Sequence, residues 1–239
     1  SAHGQLEGPL PANEARAGEA PRAALDDPDV YVNDSFEASD ALAKANGLIA
    51  RERFAEAAQL LQRAVDRDDR KLVRVGRGAY TGIRRHIARM IAGWPRQGLA
   101  EYRRLFEPEF EAALREASNR RSSEELSAIF ERYFCTAGAA KLADTLGQMA
   151  IETGNLPWAG AVYRRVIDEH PDARLHEGRY AAMLDLLAVI DGARPMEGFE
   201  SRADQKLTWR GAERTLREIV EDIGAGFVSR SSEAPGDWS

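Results

Sequence analysis

The stretch that decides the fold begins Leu146-Gly147-Gln148-Met149-Ala150-Ile151-Glu152-Thr153-Gly154 and runs on to Asn155-Leu156-Pro157-Trp158-Ala159-Gly160-Ala161-Val162-Tyr163-Arg164-Arg165-Val166-Ile167-Asp168-Glu169-His170-Pro171. Apolar residues at helical spacing lie on both sides of Gly154, a residue type that ends helices in left-handed backbone. In the first half, the glycine after Leu146 lets one helix come close to its partner, and Ala150 continues that face. In the second half, Ala159 occupies the helix crossing, Tyr163 fills the groove and Val166 extends it. His170-Pro171 then stops the second helix. The reading is a pair of antiparallel helices in close contact.

A weaker copy lies upstream. Ala45, Leu48, Phe54, Ala57, Leu61 and Ala64 fall at the corresponding offsets between residues 38 and 71, with Glu52 in place of the inter-helix glycine and Asp69 in place of the closing proline. The order Leu-Gly, Ala, aromatic, Pro resembles the tetratricopeptide repeat (TPR), a helix–turn–helix unit of about 34 residues. Ala143 stands where that repeat opens with tryptophan. The positions that carry the likeness are Leu146, Gly147, Ala150, Gly154, Ala159, Tyr163 and Pro171, with Ala57, Leu61 and Ala64 in the upstream copy. The resemblance implies an all-α fold, a short TPR-like α-solenoid of antiparallel helix pairs with degenerate central repeats.

Alanine, leucine, arginine and glutamate, all good helix formers, dominate from Ser35 to Gly192. Helices are expected near 36–52, 54–67, 70–93, 97–107, 109–118, 123–135, 138–153, 156–169 and 174–190, with a weaker one over 202–223 capped by Ser201 or Asp204. Ser122-Ser123-Glu124-Glu125 carries a Ser-x-x-Glu capping box. No strand is expected, because no stretch alternates apolar and polar residues between turns. Three regions result: an acidic Pro/Gly-containing leader over 1–34, a helical solenoid over 35–193, and a C-terminal helix with linker over 194–239. Nine acids against Arg16 and Arg22 within residues 1–40 make the leader an extended segment.

Across 239 residues the composition is that of a globular chain, with 44% hydrophobic and 30% charged residues. No apolar run approaches the roughly 18 residues of a membrane-spanning helix. The single Cys135 excludes an intrachain disulfide and a multi-cysteine metal site. A net charge of −6 argues against a nucleic-acid protein as a whole.

A more particular resemblance rests on three segments: Trp94-Pro95-Arg96-Gln97-Gly98-Leu99-Ala100-Glu101-Tyr102-Arg103, Arg132-Tyr133-Phe134-Cys135-Thr136-Ala137-Gly138, and Asp168-Glu169-His170-Pro171. In this order they are similar to the helical N-terminal region of bacterial proteins whose C-terminal part is a PQQ-binding-like β-propeller. The likeness covers about residues 35–195. It implies an export-bound protein, periplasmic or envelope-associated, with Trp238 leading into a further domain. Composition alone leaves the cytosol equally open.

Charge is the strongest local feature. Ten lysines and arginines against Glu101 alone lie between Arg70 and Arg104. On a helix over 70–93, Arg74, Arg77, Arg84, Arg85 and Arg89 share one side, while Leu72, Tyr80, Ile83, Ile87, Met90 and Trp94 share the other. The expectation is a basic face that docks an acidic protein or peptide, with the alternative of a solvated face masked by the leader. Nucleic acid is disfavoured, because Tyr80 and Trp94 turn away from that face and no base-stacking aromatic accompanies it.

Nothing in the sequence points to catalysis. His3, His86, His170 and His176 form no His-Glu-x-x-His spacing, and Gly76 and Gly78 belong to no phosphate loop. Cys135 follows Tyr133-Phe134 on a packed face with no partner base in view, and is read as structural. Acid pairs such as Asp26-Asp27, Glu124-Glu125 and Glu221-Asp222 are read as capping or solvated. Trp158, beside Pro157 in a turn, is expected to pack on the preceding helices. The expected function is therefore a non-enzymatic protein-interaction scaffold with no cofactor and no metal. The alternatives are a structural spacer or regulatory appendage of a PQQ-type propeller enzyme, or a polyanion-binding helix.

Overall fold

Apolar spacing and turn chemistry set the elements in a computed structural model that describes residues 36–67, 71–76, 79–120, 122–209 and 211–232. The acidic leader and Arg77 lie outside the described residues. The elements are α1 (Phe36–Ile49), α2 (Phe54–Arg67), β1 (Leu72–Gly76), β2 (Ala79–Gly82), α3 (Ile83–Ala92), α4 (Arg96–Arg120), α5 (Ser123–Arg132), α6 (Ala137–Glu152), α7 (Leu156–Glu169), α8 (Ala173–Ile190), α9 (Phe199–Arg202), β3 (Lys206–Trp209), β4 (Ala212–Thr215) and α10 (Leu216–Ser232). The described residues are thus mostly helical, with two small antiparallel hairpins.

The helices over 54–67 and 156–169 begin and end where the periodicity places them. Their entry turns are alike. Gly154 takes φ 74° between α6 and α7, and the Asn155 amide reaches back 2.8 Å to the Ala150 carbonyl. Glu52 takes φ 57° between α1 and α2, and the Arg53 amide reaches back 2.9 Å to the Leu48 carbonyl. Both are Schellman endings, which satisfy otherwise unpaired carbonyls. Glu52 thus does the work of a glycine at the cost of a left-handed backbone that side chains resist.

Three features depart from the expected helices, two of them hairpins. First, residues 70–93 do not form one helix. Leu72 pairs with Gly82, Val73 with Thr81, and Arg74 with Tyr80, before the register shifts between Arg74 and Gly76. Val73 turns into the core while Arg74 and Val75 face out. The β-branched and aromatic residues Val73, Val75, Tyr80 and Thr81 suit such a surface, and α3 starts only at Ile83. Second, residues 202–223 contain the β3–β4 hairpin ahead of α10. Neither Ser201 nor Asp204 caps α10. Instead the Thr215 hydroxyl accepts the Glu218 amide at 3.3 Å, and the Glu218 carboxylate accepts the Thr215 amide at 2.8 Å. This is a full capping box.

The pair 97–107 and 109–118 is one helix, α4, which continues through Pro108. Proline removes one backbone bond, but Phe106 and Phe110 are buried on either side of it and hold the two halves in line. The Ser122 hydroxyl accepts the Glu125 amide at 3.2 Å and so starts α5 as expected.

Several helices pack mainly on their chain neighbours, α1 on α2, α5 on α6, α6 on α7, and α7 on α8, while α4 packs most on α2 and α10 on α8. The signature residues lie in these contacts. Leu146, Ala150, Ala159, Tyr163, Ala57, Leu61 and Ala64 are buried. A Cβ on Gly147 would overlap the Tyr163 ring, so only glycine lets α6 and α7 approach there. Tyr163 in turn stacks on Tyr180 of α8, with ring centroids 5.2 Å apart. Pro171 stands in the α7–α8 corner. The segment after α8 is fastened by Asp185, which is fully buried. Its two oxygens accept the Met196 amide and Arg202 Nε, each at 2.7 Å. Leu207, Leu216 and Ile219 then join the core.

Candidate functional site: a cleft between α3 and the α7–α8 corner

On α3, Ile83, Ile87, Ala88 and Ile91 are buried. That helical spacing leaves Arg85 and Arg89, four residues apart, side by side on another face. Opposite them α7 ends with Asp168-Glu169. An acid in the last turn of a helix is opposed by the helix dipole and needs cations nearby. Glu169 finds them. Its Oε1 accepts Arg85 Nε at 2.8 Å and Nη2 at 2.5 Å, and Arg89 Nε at 3.1 Å and Nη2 at 2.6 Å.

A third guanidinium, Arg165, lies with Nε 3.7 Å from Glu169 Oε2. Arg165 also pairs with Glu131 and lies over the Phe134 ring at 4.4 Å. Burial alone would push the Glu169 carboxyl up. The hydrogen bonds from Arg85 and Arg89 more than offset this and hold it below the ordinary carboxylate range. Burial lowers Arg165 to about 10, and repulsion from Arg85 and Arg89 acts the same way against the attraction of Glu169. The three guanidiniums thus share Glu169, and Arg165 has Glu131 as a further partner.

Arg85, Arg89, Asp168 and Glu169 line the wall of an open cleft of about 670 Å³, together with Pro171, Asp172, Arg174 and Leu175. Hydrogen bonds fasten the corner. His170 is buried; its Nε2 lies 3.1 Å from the Thr136 carbonyl, and its Nδ1 accepts the Asp172 amide at 3.0 Å. The hydrogen-bond pattern assigns the proton to Nε2. Burial, assisted by Arg103 and His176, lowers His170 to about 4, against the opposing effects of the Thr136 carbonyl and Asp172. Asp172 is held by Arg103 Nη2 at 2.6 Å. Cys135 is buried beneath α3, its thiol donating to the Ala88 carbonyl at 3.2 Å, and burial pushes it far above the ordinary thiol range.

The arginines of the expected basic face that lie in the described residues do not share one face. Arg74 projects from β1 and donates to the Tyr80 hydroxyl at 2.9 Å. Arg77 is outside the described residues. Arg84 turns toward the space beside Gln62, Glu131 and Arg132. Only Arg85 and Arg89 converge. One helical face over 70–93 fails because its first half is a hairpin, where alternate residues point to opposite sides. Glu169 was not singled out from the sequence; its position in the last turn of a helix was the available signal. Trp158 is partly buried against the core and lines a second groove with Met149, Thr153 and Asn155.

Among the described residues, no helix is long and apolar enough to cross a membrane, and no group of His, Cys, Asp and Glu is placed to hold a metal ion. Compared with family models, curated proteins and solved structures, the chain matches none.

Proposed function

We propose that this chain is a non-enzymatic protein-interaction module, a short TPR-like solenoid from the helical region of an exported propeller-type protein. The observation that carries the binding role is the open cleft, which two half-exposed arginines and an exposed leucine line together. The repeat reading is supported by the matched turns at Glu52 and Gly154 and by the burial of the signature residues. The most perturbed groups around the corner support a structural use of its chemistry, since His170 and Cys135 are both tied to backbone carbonyls. Helical repeats bind other polypeptides through surfaces that stacked units create together, an analogy from fold to function.

The test is site-specific photo-crosslinking in cells from position 175, with the exposed position 191 as control. A defined partner, identified by mass spectrometry and bound again as a purified protein, is the expected result. Equal labelling at both positions, with no partner that binds when purified, would overturn the proposal.

A further inference from the structure

The cleft selects among polypeptides, an inference that rests on the interaction-module reading above. Arg85 and Arg89 both spend Nε and Nη2 on a single oxygen of Glu169. The Nη1 edge of each takes no part in those bonds. The two arginine side chains are 52% exposed and the Glu169 side chain only 5%. An approaching ligand therefore meets the cations first, with their shared anion behind them.

Two forks on one carboxylate leave donor capacity on both guanidiniums and one net positive charge among these three groups, partly offset by Asp168 beside Arg85, and an arriving carboxylate can take up the remaining donors. Of the acids on the cleft, Asp172 is already engaged by Arg103. Asp168 is exposed on the same wall and repels an acid placed beside it, so it limits the positions that an acidic side chain can take. Leu175, in the first turn of α8, is 80% exposed and lines the same cleft. A solvated leucine of this size beside a charged cluster gains from burial by an apolar side chain.

We infer that the cleft binds a peptide segment carrying an aspartate or glutamate close to an aliphatic or aromatic residue, its carboxylate on Arg85 and Arg89 and its apolar side chain on Leu175. A phosphate group would satisfy the arginines and leave the leucine uncovered. Among the described residues, no exposed aromatic ring lines the cleft to stack a base. The joint requirement is what a polypeptide meets and a bare anion does not.

The experiment is selection from a random peptide library on the full chain, run in parallel on Leu175→Asp and on the Arg85→Gln/Arg89→Gln double variant. Enriched peptides should carry an acid within a few residues of an apolar side chain. A synthetic enriched peptide should lose about tenfold in affinity when its acid becomes Asn, when it meets the double variant, or when it meets Leu175→Asp. The loss at the arginines should shrink as salt rises.

The double variant leaves Glu169 buried without its two main partners, so unfolding there is possible on physical grounds. Leu175→Asp, at an exposed position, keeps the test decisive. Enriched peptides without acids, unchanged affinity for Leu175→Asp, or no enrichment on the wild-type chain would each overturn the inference. Displacement by a single-stranded oligonucleotide beyond the effect of matched ionic strength would do the same, and would assign the cleft to nucleic-acid phosphate. If a partner crosslinks at position 175 and the library shows no acid preference, only this specificity falls. If crosslinking finds no partner as well, the interaction-module reading falls with it.

Discussion

Acidification should loosen the α7–α8 corner through one residue, His170. In the folded chain its Nδ1 accepts the Asp172 amide, so a proton there would set two donors against each other. The folded pKa is about 4, against an ordinary value of 6.5. Above pH 6.5 neither the folded nor the unfolded state holds the extra proton, and stability is complete. As pH falls toward 4, the unfolded chain binds a proton that the folded chain refuses. Stability is lost across that window and levels off below it.

Linkage gives about 2 kcal/mol lost between pH 7 and pH 5, and about 3 kcal/mol over the whole window. The groups facing the ring are Asp172 and the Thr136 carbonyl, which favour protonation, and Arg103 and His176, which oppose it. His86, lowered by burial and by Arg89, contributes in the same direction. Glu169 acts lower on the scale, because a depressed carboxylate loses its contribution only as pH falls below its unfolded value, near 4.5.

The assay is urea unfolding at a series of pH values for wild type and His170→Gln, with imidazole titration followed by NMR. The variant should be less stable at pH 7, yet should lose less on moving to pH 5, by about 2 kcal/mol. Parallel pH profiles, or a folded His170 that titrates near 6.5, would refute the argument.

Two other substitutions test the packing. Gly147→Ala should destabilise by about 1–3 kcal/mol, because its methyl group meets the Tyr163 ring and α6 must move off α7; thermal unfolding reads this, and an unchanged midpoint would mean that the contact is looser than described. Asp185→Asn should cost about 3 kcal/mol, since Arg202 loses its buried countercharge. It should also speed protease cleavage between residues 194 and 215, whereas the exposed Asp191→Asn should do neither.

How much could be read in advance depends on the distance over which each feature is held together. Helices α2 and α7 were legible because the contacts that define them recur every three or four residues. Glu52 shows the limit of residue matching: the turn keeps its geometry without glycine, because the Leu48 carbonyl still receives the Arg53 amide. The two hairpins were not legible. Strands of four or five residues are marginal alone, and these are secured by Val73 and Leu207 buried against helices. Pro108 misled in the other direction, since Phe106 and Phe110 keep α4 continuous across it.

The amino-acid pattern by itself determined the mostly helical class, the helix pairs that meet at Glu52 and Gly154, and the excess of arginine between residues 70 and 104. Only the tertiary structure decided which of those arginines act together. Arg74 left with a hairpin and Arg84 turned to another interface, while Arg85 and Arg89 met a glutamate 84 and 80 residues away. Periodicity places a side chain on the face of its own element. The partner across the cleft is set by how α3 packs against α7, and that packing depends on the shapes of buried residues on elements far apart in the chain.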